Sequence, residues 1–182
     1  MSDITLVIGG CRSGKSEHAL SLAERLSATQ RVFVATCIPH DAEMRDRVTR
    51  HQRERSRSWT TVEAPLDLAG AVARHARPGA VLLIDCLTLW VSNLLGTSED
   101  PDLLRGRAAE LVNALSQSRG PVVLVTNEVG AGIVPENRLA RLFRDVVGWT
   151  NQAVAGCADR VVWTVAGIPV TIKGLQKERP RE

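Results

Sequence analysis

A chain of 182 residues, 44% apolar and 24% charged, has the size and make-up of one soluble globular domain. A net charge of +3 is too small to argue for nucleic acid, and the absence of tyrosine argues against stacking platforms for single strands. No apolar run approaches the ~20 residues of a membrane span, and four scattered cysteines (Cys11, Cys37, Cys86, Cys157) form no C-x-x-C pair, as expected of reduced thiols in a cytoplasm.

Ile4–Ile8 reads as a first strand, close enough to the start that no signal peptide is expected. It runs into Gly9-Gly10-Cys11-Arg12-Ser13-Gly14-Lys15-Ser16, the P-loop pattern G-x-x-x-x-G-K-[ST] between a strand and a helix, Lys15–Ala28. The glycines let backbone N–H groups turn inward around phosphate oxygens, and the helix aims its positive end at them. Lys15 can reach the β- and γ-phosphates, and the Ser16 hydroxyl can ligate Mg²⁺. The alternative, a glycine-rich turn that binds nothing, does not account for the agreement of spacing and flanks.

Arg31–Cys37 reads as the second strand. Asp41–Arg55 follows, with Asp41 as an N-cap and Met44, Val48 and His51 on one helical face. Arg45, Arg47, Arg50, Arg53 and Arg55 surround His51. Such a run is usually a solvated face, and a histidine on an apolar stripe is usually core. Here cationic neighbours would keep the imidazole neutral and nucleophilic, and would stabilise a transferring phosphoryl group. The residues alone leave His51 open between core residue, phosphate contact and nucleophile.

Trp59–Glu63 is a short strand candidate and Asp67–Arg77 a helix. Ala80–Cys86 is a strand containing Val81-Leu82-Leu83-Ile84-Asp85, an apolar run ending in an acid. After a P-loop this is the Walker B pattern, and Asp85 becomes a Mg²⁺-site acid; the bland alternative is a cap for the following segment. Gly96–Pro101 reads as a polar loop, Asp102–Ser118 as a helix and Val122–Asn127 as a buried strand. Asn127 and Glu128 should face the site from that strand's carboxyl end, before the glycine-rich stretch to Pro135. That stretch is not the Asn-Lys-x-Asp motif of regulatory GTPases. Glu136–Ala158 is the clearest helix, with Leu139, Leu142, Phe143, Val146, Val147 and Thr150 at three- and four-residue spacing. Arg160–Ala166 and Ile168–Lys173 are strand candidates. Strands alternating with helices predict an α/β fold: a P-loop NTPase-like three-layer sandwich with a mostly parallel sheet and its ligands at the strands' carboxyl ends. A single domain over 1–175 and a charged tail over 176–182 are expected.

Taken together, these segments resemble the bifunctional adenosylcobinamide kinase/adenosylcobinamide-phosphate guanylyltransferase family, from Ile4 to about Lys173. The P-loop with Arg12-Ser13, Ala35-Thr36, Asp41-x-Glu43-Met44-x-x-Arg47-Val48-x-x-His51 and Trp59-x-x-Val62-Glu63 carry the first half of the match. Asp85-Cys86-Leu87-Thr88, Asn93-Leu94-Leu95, Thr126-Asn127-Glu128-Val129-Gly130-x-Gly132-Ile133-Val134-Pro135, Asn137-Arg138, Phe143-Arg144-Asp145 and Asn151-Gln152 carry the rest. Cys11 stands where many relatives have alanine, and relatives carry Asp or Glu at the place of Asp85.

The resemblance implies two reactions. ATP or GTP phosphorylates the hydroxyl of the corrinoid's aminopropanol arm; then GTP guanylylates a histidine, which falls on His51, and the corrinoid phosphate takes the GMP to give adenosylcobinamide-GDP. It also implies Mg²⁺, and nucleotide contacts at Ala35, Thr36, Cys37, the residues after His51 (Gln52, Arg53, Glu54, Arg55), Glu63 and Asp85. Glu63 would accept from the guanine N–H edge. A homo-oligomer is expected, a trimer being the state to test, with no nucleic-acid or membrane partner. The competing reading is a P-loop small-molecule kinase with no covalent nucleotidyl intermediate.

Overall fold

The computed structural model describes residues 3–26, 29–38 and 58–174. Its strands are β1 (Ile4–Gly9), β2 (Gln30–Ala35), β3 (Trp59–Glu63), β4 (Ala80–Asp85), β5 (Val122–Asn127), β6 (Arg160–Val165) and β7 (Ile168–Lys173). Its helices are α1 (Lys15–Leu26), α2 (Leu68–His75), α3 (Leu87–Leu95), α4 (Pro101–Ser116) and α5 (Arg138–Cys157). One sheet runs in the order β3-β2-β4-β5-β1-β6-β7. All neighbours are parallel except β6 and β7, which form an antiparallel hairpin.

The three central strands are buried on both faces, which is why their sequences are apolar runs and not alternations. On one face Ala19, Leu22 and Ala23 of α1 pack over Val7, Phe33, Leu83, Val123 and Val125. On the other face α2 to α5 cover Leu6, Val34, Leu82, Ile84 and Leu124 with Leu68, Trp90, Leu111, Val147 and Val154. Helices on both sides of a mostly parallel sheet make the expected three-layer sandwich.

Local chemistry sets the helix starts. Asp67 accepts from the Gly70 amide, Asp100 from the Asp102 amide with Pro101 next in line, and Asn137 from the Ala140 amide. Several expected boundaries move for a physical reason. The second strand stops at Ala35, short of the expected Cys37, because the next residue, Thr36, turns to bond the end of β4. β6 stops before Ala166, whose φ of 51° begins the hairpin turn. Helix α3 is an addition to the sequence reading: Leu87, Thr88, Trp90, Val91 and Leu94 are all buried, so its sequence has no polar stripe to mark its period. Leu139, expected on the apolar stripe of α5, is exposed at 45%. The helix read over 41–55 and the tail 176–182 lie outside the described residues. Among the described residues no helix is long and apolar enough to cross a membrane.

Candidate active site

Six parallel strands end on one edge of the sheet, and five of them end in residues expected at the site. They are Gly9, Ala35, Glu63, Asp85 and Asn127. Register places Ala35 beside both Glu63 and Asp85, and Gly9 beside Asn127. Open α/β sheets bind ligands at this edge.

The P-loop leaves β1 at Gly9 and enters α1 at Lys15. Two residues hold the left-handed backbone that the cradle needs, Arg12 at φ 54° and Gly14 at φ 86°. Gly14 also has a steric reason to be glycine, since a Cβ there would stand 3.2 Å from the Gly167 Cα. A Cβ on Gly9 would collide with Thr164 and Ser13. The loop is therefore seated on the β6–β7 hairpin. The Gly167 amide donates to the Ser13 carbonyl at 3.0 Å, and the Thr164 hydroxyl donates to the Ile8 carbonyl at 3.2 Å. Having spent its proton there, Thr164 accepts from the Ser13 hydroxyl at 3.1 Å. Lys15 folds back so that Nζ donates to the Gly10 carbonyl at 3.1 Å, which arches the ammonium over the loop where phosphate oxygens would lie. Cys11 and Arg12 are exposed, and Ser16 lies half-buried in the first turn of α1.

Asp85 ends β4 half-buried. Its neighbour Thr36 is fully buried and donates its hydroxyl to the Cys86 carbonyl at 2.8 Å while accepting from the Cys86 amide at 2.8 Å. The Thr36 carbonyl accepts from Asn93 at 2.7 Å. Thr36 thus holds the acidic strand end from below. Ala35 and Cys37 flank it half-buried, and Glu63 stands exposed at the end of the edge strand β3. Burial first, and the Asp85 charge second, push the Cys86 thiol up to about 11. Ser16 and Asp85 offer a hydroxyl and a carboxylate, the hard oxygen donors that suit Mg²⁺. No group of three or more His, Cys, Asp or Glu side chains that could hold a metal occurs among the described residues. His51, Gln52, Arg53, Glu54 and Arg55 lie outside the described residues.

Thr164, Gly167, Thr88 and Asn151 support the site and were not among its expected residues. An Ala166-Gly167 pair between two apolar runs is the signal that would have found the hairpin. Glu128, expected to face the site, accepts from the Gly130 amide at 2.5 Å and so turns its carboxylate into its own loop.

Residues 5–172 match the family described as cobinamide kinase / cobinamide phosphate guanyltransferase. The chain is 43% identical over 172 residues to the bifunctional adenosylcobalamin biosynthesis protein CobP of Pseudomonas aeruginosa, across 93% of this chain and 96% of that one. It is 42% identical over 180 residues to the bifunctional adenosylcobalamin biosynthesis protein CobU of Escherichia coli, across 92% and 98%. A KaiC-like protein from Pyrococcus horikoshii superposes with a TM-score of 0.48 at 14% identity, over 88% of this chain and 70% of that one.

Proposed function

The chain belongs to the cobinamide kinase/cobinamide phosphate guanyltransferase family, and we propose that it runs both reactions at the one sheet edge, the second through a guanylyl group held covalently on His51. It is a bifunctional enzyme of cobalamin biosynthesis, a kinase toward adenosylcobinamide and a guanylyltransferase toward its phosphate. The P-loop seated on the β6–β7 hairpin, with Lys15 arched over it, is the observation that carries the reading.

In the kinase step the aminopropanol hydroxyl attacks the γ-phosphorus of ATP or GTP. The P-loop amides and Lys15 hold the β- and γ-phosphates in line, and positioning with charge stabilisation supplies nearly all the catalysis. Bound Mg²⁺, held by Ser16 and Asp85, would neutralise charge developing on the phosphate oxygens. In the second step the neutral His51 imidazole attacks the α-phosphorus of GTP. The P–N bond forms as the bond to the α,β-bridging oxygen breaks, and pyrophosphate leaves into the P-loop. The corrinoid phosphate then displaces GMP from the histidine. A phosphoramidate splits one hard transfer into two easier ones. Arg45, Arg47, Arg50, Arg53 and Arg55, close to His51 in sequence, would support this role by holding off its protonation. Gln52, Arg53, Glu54 and Arg55 would line the nucleotide beside it, together with Ala35, Cys37 and Glu63, the last taking the guanine N–H edge.

The test is a mass measurement. After GTP and Mg²⁺ the protein should gain one GMP, stable in base and lost in acid, and His51→Ala should lose both the adduct and guanylyl transfer. An adduct that persists in His51→Ala would overturn the assignment.

Assembly is a second part of the proposal. Trp163, Val165, Ile168, Val170 and Ile172 leave one apolar face of the β6–β7 hairpin exposed, which supports a homo-oligomer with a trimer as its expected state. Light scattering at micromolar concentration should give a multiple of 19.8 kDa, and a monomer mass would reject it.

A further inference from the structure

Asn127 ends β5, the strand between the P-loop strand β1 and the Asp85 strand β4, and lies level with Gly9. It is bound into a set of hydrogen bonds with Thr88, Thr126 and Asn151. The Asn127 carbonyl can only accept, so the Asn151 atom 3.1 Å from it is Nδ2. Asn151 therefore presents Oδ1 to Thr126, whose hydroxyl must donate to it at 2.7 Å. A hydroxyl has one proton, so toward Thr88, at 3.4 Å, Thr126 can only accept. Toward Asn127 the Thr88 hydroxyl oxygen presents lone pairs. These take the Asn127 backbone amide at 2.8 Å and the side-chain amide at 3.0 Å. The atom facing Thr88 is thus Nδ2, and the carboxamide oxygen is the end left over. Among the described residues nothing donates to it.

Thr88, Thr126 and Asn151 are buried and Asn127 is half-buried, so the arrangement spends three buried polar side chains on holding one amide in one orientation. Buried hydrogen-bonded networks rigidify the groups they hold.

We propose that Asn127 Oδ1 accepts the hydrogen bond of the attacking alcohol in the kinase step, with Thr88, Thr126 and Asn151 as its positioning residues. The proposal rests on the kinase reading of the site. An amide is not a base, so Asn127 turns a lone pair of the hydroxyl oxygen toward the γ-phosphorus and takes no proton. The new O–P bond forms as the bond from phosphorus to the β,γ-bridging oxygen breaks. The nucleoside diphosphate leaves with that electron pair, and the hydroxyl proton passes to water. Attack by His51 on the α-phosphorus involves no alcohol and does not call on Asn127.

The experiment compares two readouts in the full-length chain: phosphorylation of adenosylcobinamide, and formation of the acid-labile GMP adduct from GTP alone. Asn127→Ala should lower kinase kcat by about 10²-fold, as loss of one fixed polar contact does, while nucleotide KM and the adduct rate move by less than roughly threefold. Thr88→Val, which frees the amide to flip, should lower kinase kcat in the same selective way, and Thr88→Ser should restore most of it. Unchanged kinase turnover in Asn127→Ala, or a matching fall in both readouts with a lowered melting temperature, would overturn the proposal. A wild-type chain that forms the adduct but phosphorylates no alcohol would overturn the kinase reading, and the proposal with it.

Discussion

Cys86 follows Asp85 directly, and that position couples the thiol to pH. Burial and the adjacent carboxylate raise it from 9.0 to about 11 in the folded chain. The folded state therefore keeps a proton that the unfolded state gives up between these values. Its contribution to stability is fully present below pH 9 and is lost as the pH rises through about 11, a change of up to ~3 kcal/mol. The melting temperature should fall between pH 9 and 11, and Cys86→Ala should flatten that fall; an identical slope in both proteins would contradict the coupling. Reactivity follows the same physics. At pH 8 iodoacetamide should modify the exposed Cys11 in the P-loop and spare Cys86, and bound nucleotide should protect Cys11.

Among the elements, the β6–β7 hairpin has a role that its exposed strands conceal: it is the platform of the phosphate cradle. Thr164 holds both the Ile8 carbonyl and the Ser13 hydroxyl. Thr164→Val keeps the shape and removes both contacts, leaving the buried Ser13 hydroxyl without this partner, which should cost about 1–3 kcal/mol in stability. Because one of those partners lies inside the loop, KM for GTP should rise as well. A lowered melting temperature with unchanged KM would show a hairpin that supports the fold but not the cradle.

The P-loop and the strands β1, β4 and β5 were legible because their signals are local: a glycine spacing, or an apolar run of strand length. Helix α3 was not, since a helix buried around most of its circumference loses the polar stripe that reveals it. The Thr88–Thr126–Asn151 network was also hidden. Thr88 and Asn127 are 39 residues apart, and polar residues inside helices look like solvated ones until the fold buries them. Asn127 could be placed at the site from its strand end, but the direction of its amide could not.

Over the whole molecule, the proposed scheme gives the two reactions one polyphosphate anchor, on the edge where β1, β2, β3, β4 and β5 end. In that scheme the kinase step moves the γ-phosphoryl group and the guanylyl step expels the β- and γ-phosphates together as pyrophosphate, so Lys15 would meet developing charge in both. Its ammonium contacts the Gly10 carbonyl and no other group among the described residues, so removing it should disturb the fold little. Lys15→Ala should therefore lower both activities by at least about 10²-fold, the usual effect of losing one electrostatic stabiliser, with the melting temperature near that of wild type. Measuring both at saturating GTP separates weaker binding from a lost transition-state contact. Guanylyl transfer at the wild-type rate beside a failed kinase step would mean that the two reactions anchor their nucleotides at different places, and the single-edge account would fall.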